Sequence, residues 1–527
     1  MTALLTDNLP LLAGAPNGIK KLRELILELA VRGKLVPQDP SDEPASELLN
    51  LLITEARDTT GRGKAKRQAL PEVCESEQPY ILPNGWAWGR LGDVTEILDS
   101  LRRPVTKQDR KPGPYPYYGA SGVVDYVSAY IFDEPLVLVG EDGAKWGVGE
   151  RTAFSITGKT WVNNHAHVLR PKRDAVCDDY LVISLTAQDL SQFITGMTVP
   201  KLNQARLTSI GIPLPPLAEQ HRIVAKVDEL MALCDRLEAQ QADAESAHAL
   251  LVQALLHSLT QAADAEDFAA SWQRLAEHFH TLFTTESSID ALKQTLLQLA
   301  VMGKLVPQDP NDEPASELLQ RIAVERLDRE GSRRSKSQVE LREIDGSEKK
   351  FELPAGWEWV RLQQIVSVSS GDGLVSAKMN TEGSVPVYGG NGVTGHHDRQ
   401  NVEKETLVIG RVGYYCGSIH LTPASAWVTD NALIVRFSER NIDKSFLFWL
   451  LKGTNLKEQE NATAQPVISG RKIYPIVLAI PPLAEQRRIV AKLNQLMVLC
   501  DQLKTRLTQA RRLNEQLATA LVEQAVA

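Results

Sequence analysis

Apolar residues near the end of the chain step by four and three through Ile489, Leu493, Leu496, Cys500, Leu503, Leu507, Ala510, Leu517 and Leu521, with Asn514 the one polar interruption. That spacing predicts a long helix carrying a coiled-coil seam. An earlier stretch predicts the same element through Ile223, Val227, Leu230, Cys234 and Leu237, then Leu251 and Leu255, with His248 falling opposite Asn514. About forty residues of helix are roughly 60 Å long. Two prolines precede each run, at 215–216 and 481–482. They end an extended segment and sit at a helix start, where a missing N–H costs little. A shorter amphipathic helix is predicted over 18–31, with Ile19, Leu22, Ile26 and Leu29 on one side and Gly33 as its stop. Elsewhere short apolar runs alternate between Gly and Pro boundaries, which predicts strands.

The pattern occurs twice. Pro215–Lys226 recurs as Pro481–Lys492 with 11 of 12 positions identical, and Leu22–Leu49 recurs as Leu292–Leu319 with 21 of 28. The second block contains Gly33-Lys34-Leu35-Val36-Pro37-Gln38-Asp39-Pro40 and Gly303-Lys304-Leu305-Val306-Pro307-Gln308-Asp309-Pro310. Charged stretches, 57–79 and 326–351, lead into Pro83-Asn84-Gly85-Trp86-Ala87-Trp88 and Pro354-Ala355-Gly356-Trp357-Glu358-Trp359, whose tryptophans are expected to anchor the core of a β-rich head. Trp161 and Trp427 correspond, as do Arg170 and Arg436, but between such anchors the heads diverge. The chain therefore reads as a tandem duplication, one frame holding two different readers. Its expected segments are 1–80 (helical region and linker), 81–214 (first head), 215–351 (long helix, short helices, linker), 352–480 (second head) and 481–527 (long helix). The last long helix has no short-helix block after it, so the N-terminal block is expected to complete it, closing a pseudo-twofold arrangement.

Composition changes the picture in two places. The net charge of −8 argues against nucleic acid until its distribution is seen. Residues 81–214 carry 14 basic and 14 acidic residues and 353–482 carry 12 and 11, so the acidity belongs to the connecting parts. Neutral heads permit DNA contact. The five cysteines form no CxxC pair, which argues against a zinc site, and Cys234 and Cys500 at equivalent seam positions read as buried thiols of a reduced, cytoplasmic protein. No apolar run of eighteen residues is present.

These repeated motifs resemble the DNA-specificity subunit of type I restriction-modification systems. The resemblance implies an α+β fold: two β-rich target-recognition domains separated by a pair of long antiparallel coiled-coil helices. Each head would read one half of a split target in double-stranded DNA. Two modification subunits would bring S-adenosylmethionine and methylate adenine; two restriction subunits would bring ATP-driven translocation, Mg2+ chemistry and the nuclease. This chain itself would bind no cofactor and catalyse nothing. His248 and Asn514 depart from the seam and could loosen or register the helix pair. No Asn/Asp-Pro-Pro-Tyr/Phe motif is present. Gly158-Lys159-Thr160 lacks the first glycine of a phosphate loop, since Ala153 stands there. The rival reading is a two-headed scaffold recognising a non-DNA ligand.

DNA-contact candidates are head-loop residues. In the first head they are Lys107, Gln108, Arg110, Lys111, Tyr117, Tyr118, Lys145, Trp146, Lys201, Asn203, Gln204 and Arg206. In the second they are Lys378, Asn380, Tyr388, Asn391, Arg411, Tyr414, Tyr415, Ser469, Arg471 and Lys472. Arg and Lys can hold phosphates or guanine edges, and Asn or Gln can pair with adenine. Tyr118 and Tyr388 are equivalent, so packing competes with contact for both. Metal ligands are not expected.

Overall fold

A computed structural model describes residues 9–59, 70–196, 198–330, 342–456 and 467–526. The chain divides into two compact units, 1–245 with 509–527 and 246–508, so both long helices cross the division. Parts of the charged stretches, 60–69 and 331–341, lie outside the described residues.

Unit 1 begins with α1 (Leu9–Gly14), α2 (Gly18–Val31) and α3 (Ala45–Thr59). Helix α2 stops where predicted. Gly33 takes φ +66°, and the Lys34 amide reaches back to the Leu29 carbonyl at 2.9 Å, closing a Schellman turn. A second constraint acts on the same glycine: a Cβ there would lie 2.4 Å from Pro83 and 3.1 Å from Trp86. Gly303 repeats both features at φ +72°, with Pro354 and Trp357 as neighbours.

The head follows as β1 (Ala87–Arg90), α4 (Leu91–Val94), β2 (Thr95–Ile97), β3 (Tyr115–Gly119), β4 (Gly122–Val127), β5 (Phe132–Asp133), β6 (Leu136–Gly140), β7 (Ala153–Ile156), β8 (Lys159–Val162), β9 (Ala166–Pro171), α5 (Asp178–Thr186), α6 (Gln204–Thr208) and β10 (Gly211–Leu214). The strands form two four-stranded sheets, β2-β9-β6-β7 and β4-β3-β8-β5. Strand β6, Leu-Val-Leu-Val-Gly, is buried at every position, as an apolar run covered on both faces should be. Strands β1 and β10 pair antiparallel from Ala87↔Leu214 to Arg90↔Gly211, so the chain enters and leaves the head through one two-stranded neck. Helix α7 (Leu217–Gln261) then begins directly after the two prolines.

Unit 2 starts with α8 (Ala265–Glu277), α9 (Phe279–Leu282), α10 (Glu286–Val301) and α11 (Ala315–Glu330). Its head contains β11 (Glu358–Arg361), α12 (Leu362–Ile365), β12 (Val366–Ser370), β13 (Val385–Gly389), β14 (Gly392–His397), β15 (Leu407–Gly410), β16 (Ile419–Leu421), β17 (Trp427–Val428), β18 (Ala432–Phe437), α13 (Lys444–Gly453), α14 (Gly470–Ile473) and β19 (Val477–Ile480). The sheets are β12-β18-β15-β16 and β14-β13-β17, with the neck β11-β19. Both heads pair a tryptophan strand in parallel with the tyrosine strand (Tyr117↔Trp161, Val387↔Trp427), and both break register after Tyr117 or Val387. The duplicated sequence is thus a duplicated fold. Helix α15 (Leu483–Val526) ends the chain.

The seam needs correcting. Ile223, Val227, Leu230 and Cys234 are buried in unit 1, and Ile489, Leu493 and Cys500 in unit 2, as the spacing predicts. Past those points the seam is interrupted: Leu251 and Leu517 are each 52% exposed, whereas Leu237, Leu255, Leu503, Leu507 and Leu521 pack partly buried against the cores. Val252, Leu256 and Leu259 are buried instead, in the cluster of Ile289, Leu292 and Leu296. Ala518 and Ala525 are buried with Ile19, Leu22 and Ile26. Residues 238–247 and 508–514 are exposed throughout. The distal part of each helix packs on a short-helix block rather than continuing one heptad seam, and the new neighbour selects a new face. The expectation that the N-terminal block receives the end of the last helix agrees with this packing inside unit 1.

Candidate nucleic-acid interface

The duplicated motifs form a lock at the base of each head. Glu219, in the first turn of α7, accepts the Trp86 indole N–H at 3.0 Å on one carboxylate oxygen and the Gln38 amide at 3.1 Å on the other. Gln38 also donates to the Gly33 carbonyl at 2.7 Å. Gln220 accepts the Cys177 backbone N–H and donates to the carbonyls of Ala175 and Pro215, tying the neck to the start of α5. Arg222 pairs with Asp42 at 2.6 Å. Unit 2 repeats the set: Glu485 accepts from Trp357 and Gln308, Gln486 accepts from the Asp443 backbone N–H, and Arg488 pairs with Asp312. Trp86 and Trp357 therefore tie the frame to the long helix while sharing a core cluster with head-strand residues, Val137 and Leu169 in unit 1 and Ile409 and Leu433 in unit 2. Arg90 and Arg361 brace each neck through Glu77 and Glu348 and through nearby carbonyls.

Burial raises the Glu219 carboxyl above its ordinary 4.5, against the lowering pull of its two donors, and Glu485 is raised for the same reason. A raised acid contributes stability that is complete below its unfolded pKa and is lost as pH rises through the folded value. The lock is thus expected to weaken as pH climbs above the ordinary 4.5 through the raised folded value of each carboxyl. Glu219→Ala leaves the buried Trp86 indole N–H without an acceptor, while Gln38 keeps the Gly33 carbonyl. It is expected to destabilise unit 1 by about 1–3 kcal/mol in denaturant titration. Glu485→Ala should act alike on unit 2, and the double variant should show both losses independently, since no partner is shared. Strong coupling between them would contradict two separate locks.

The loop candidates assemble into two groups in each head. In head 1, residues 107–111 lie along the β3–β4 hairpin, where the Ser128 amide donates to the Lys111 carbonyl and Arg110 pairs with Asp125. The second group joins the β6–β7 loop, with Lys145 and Trp146, to Lys201–Arg206 through an Asp142↔Lys201 bridge and a bond from the Leu202 amide to the Glu141 carbonyl. Head 2 repeats this. Lys378 and Asn380 adjoin β14, where the Asn380 amide donates to the His396 carbonyl. The Arg411–Tyr415 loop joins Ser469–Lys472 through Val412↔Val467 and the bond from the Ile468 amide to the Arg411 carbonyl. Asn391 lies beside them, because Ser418 Oγ donates to the Gly390 carbonyl at 3.0 Å.

Several candidates turn inward and are withdrawn. Tyr117 is 1% exposed, its hydroxyl bonded to Val105 beneath the Arg110 guanidinium. Tyr388 is buried with its hydroxyl toward the Leu421 carbonyl, and Tyr118 packs on Phe154. Trp146 is half-buried and donates to the Gly140 carbonyl. Asn203 caps α6 by accepting the Arg206 amide, and Asn380 accepts the Glu382 amide and donates to Asp398. Lys472 donates to the Val467 carbonyl. Arg110 and Arg411 are partly committed, Arg411 to Ser370 Oγ and the Asp430 carbonyl. Lys107, Gln108, Lys111, Lys145, Gln204, Arg206, Lys378, Asn391, Tyr414, Tyr415 and Arg471 are exposed.

One network escaped the sequence reading. In head 1, His167 is 1% exposed, with Nδ1 2.5 Å from Asp99 and Nε2 2.7 Å from the Leu202 carbonyl. Arg102 bridges Asp99 and Glu141, and Lys201 reaches the other Glu141 oxygen at 2.8 Å. Asp99, Glu141 and His167 lie close enough to hold a metal ion. Arg102 and Lys201 already neutralise those carboxylates, so the cluster is an ion-pair network fixing the 195–206 segment. It commits Lys201, whose ammonium this pairing stabilises in the charged form. The partners span a hundred sequence positions without periodicity, and no sequence signal announces them. Head 2 places Arg411 where head 1 has Glu141, and Val467 where it has Lys201.

The family described as the type I restriction modification DNA specificity domain matches residues 83–245 and 354–510. The EcoAI specificity subunit of Escherichia coli is 35% identical across 97% of this chain and 94% of its own length. The EcoEI specificity subunit from the same organism is 34% identical over the same shares. A solved chain from work on complex assembly and conformational transition of the type I R-M system aligns over 85% of this chain and 99% of its own. Its TM-score is 0.50 at 19% identity, a likeness of fold.

Proposed function

The chain belongs to the type I restriction modification DNA specificity family, and from that membership we propose how its two heads divide the reading of DNA. It is the non-catalytic, sequence-specific DNA-recognition subunit of a type I restriction-modification complex. On our reading each head, 81–214 and 352–480, takes one half of a divided target. The observation that carries this is the contrast between frame and loops. The side chains that form the lock, Gln38, Asp42, Trp86, Glu219, Gln220 and Arg222, recur in unit 2, while the head loops exchange Glu141 and Lys201 for Arg411 and Val467. A frame that is the same in both halves around loops that carry different charges suits two readers of different sequences. The alternative of a two-headed scaffold for a non-DNA ligand draws on no feature of either head.

The exposed cations Lys107, Lys111, Lys145, Arg206, Lys378 and Arg471 are assigned to phosphates and guanine edges, and Gln108, Gln204 and Asn391 to adenine. Helices α7 and α15 join the readers and, with the short-helix blocks, offer the duplicated surface for two modification subunits; two restriction subunits complete the assembly. S-adenosylmethionine, ATP and Mg2+ belong to those partners in a cytoplasmic complex. Among the described residues no helix is long and apolar enough to cross a membrane. The purified chain supplied with all three cofactors is expected neither to methylate nor to cleave DNA. Co-expression with a family methyltransferase should yield adenine methylation at one bipartite sequence. Methyl transfer by the pure chain would overturn this division of labour.

A further inference from the structure

At the tip of the loop between β15 and β16, the second head presents two tyrosines to solvent. Tyr414 is 82% exposed and Tyr415 54%, their rings edge to face at 5.0 Å. The loop beneath them is tightly held. Cys416 is fully buried; the Gly417 amide donates to the Gly410 carbonyl at 2.7 Å and the Gly410 amide to the Ser418 carbonyl at 2.8 Å. Gly413 and Gly417 supply the positive φ angles, +92° and +84°, that the reversal requires. Arg411 steadies the base of the loop through Ser370 and Asp430. Head 1 treats the equivalent loop in the opposite way, since Trp146 folds inward onto Gly140.

We infer that Tyr414 and Tyr415 form a rigid stacking platform that engages base faces in the half-site read by the second head, with no counterpart in the first. This rests on the DNA-reading function proposed above. A tyrosine ring gives little discrimination at a base-pair edge, but every base offers a face on which it can stack. In a duplex that face becomes accessible where a side chain opens a base step, as apolar and aromatic wedges do. Preorganisation by the buried Cys416 removes the ordering cost such a wedge would otherwise carry. The neighbouring Arg471 is exposed and suited to the flanking backbone, and Asn391, also exposed, to an adenine edge. A partner protein is the weaker occupant. Subunits that dock on both halves would use the duplicated frame, whereas the tyrosine pair occurs in one head, as a feature of one half-site should.

The test uses the complex reconstituted with its methyltransferase partner. Its target is first obtained by sequencing the adenines it methylates. Duplexes then carry 2-aminopurine at single positions of either half-site. Apart from the methylated adenines, which the methyltransferase itself extrudes, binding is expected to raise fluorescence at a step in the second head's half-site and at no step in the other. Tyr414→Ala with Tyr415→Ala should abolish that rise and weaken specific binding about 10- to 100-fold. Phenylalanine at both positions should restore both readouts, separating stacking from hydroxyl bonding. Unchanged affinity and fluorescence in the double alanine variant would overturn the platform while leaving the DNA reading intact. Normal DNA binding with loss of the methyltransferase partner would assign the tyrosines to docking and also overturn it. A wild-type complex with no sequence preference would remove the underlying reading itself. Because both side chains are exposed, thermal unfolding of the variants should match the parent.

Discussion

Truncation after Thr508 is expected to loosen the N-terminal unit and leave the C-terminal one intact, although the cut falls at the far end of the sequence. Residues 509–527 pack with unit 1, not with the unit from which their helix starts. Ala518 and Ala525 are buried in the cluster of Leu22, Leu25 and Ile26, with Leu521 and Val522 packed against it. Lys21 Nζ donates to Thr519 Oγ1 at 2.6 Å and to the Glu515 carbonyl at 3.4 Å. At roughly 0.8 kcal/mol per buried carbon, the lost apolar contacts amount to on the order of 4 kcal/mol. That is a large share of the 5–15 kcal/mol typical of a domain. Unit 2 loses little, because its own ties to α15, Lys293 with Asp501 and Lys504 with Asp290, lie before the cut. Hydrogen exchange is the measurement. Amides of α2 should exchange much faster in the truncated chain, while those of α10, its counterpart in sequence, keep their protection. Equal protection in both helices would show that the helix end contributes nothing to the N-terminal core.

What the sequence made legible followed physical locality. Helices and strands were readable because hydrophobic spacing is a local property, and α7 and α15 begin directly after their prolines. Gly33 was readable as a helix stop because a left-handed residue is a local requirement; that it must also admit Trp86 was not, since Trp86 lies fifty positions away. The distal seam was misplaced for the same reason. Leu251 continues the arithmetic of the heptad, but the block containing Ile289 and Leu292 lies against the face of Val252 and Leu256. Among site candidates, residue type separated poorly from role. Tyr117 and Tyr414 are the same side chain, one beneath a guanidinium inside a sheet and the other in solvent. Asn203 has a side chain suited to base pairing and instead caps a helix, a use for which asparagine is equally fitted. The lock was visible as repetition before it was visible as chemistry: Glu219, Gln220 and Arg222 stand in one motif because each binds a different part of the frame.

Replacing the first head with one from another family member should exchange one half of the DNA target completely and leave the other half untouched. The neck makes the graft possible. Strands β1 and β10 bring Ala87 opposite Leu214, so a foreign head entering at 91 and leaving at 210 meets the frame at a closed two-stranded stem. Retaining both strands keeps Trp86 on Glu219. It also keeps Arg90 in place on Glu77, though its bond to the Ser209 carbonyl must be supplied by the incoming backbone. The principal site of strain is α5, because Gln220 caps its start through the Cys177 amide and Tyr180 donates to the Pro213 carbonyl. A donor head therefore needs an equivalent helix with a free amide at that position, as head 2 has at Asp443. With that condition met, the half-site should follow the loops, because the charge-bearing positions 107–111, 145 and 201–206 travel together inside the graft. Sequencing the adenines methylated by the reconstituted complex is the readout. A new sequence on one side of an unchanged partner sequence is the expected result. If both halves change together, or neither does, recognition is not divided between the heads and the duplication has another purpose.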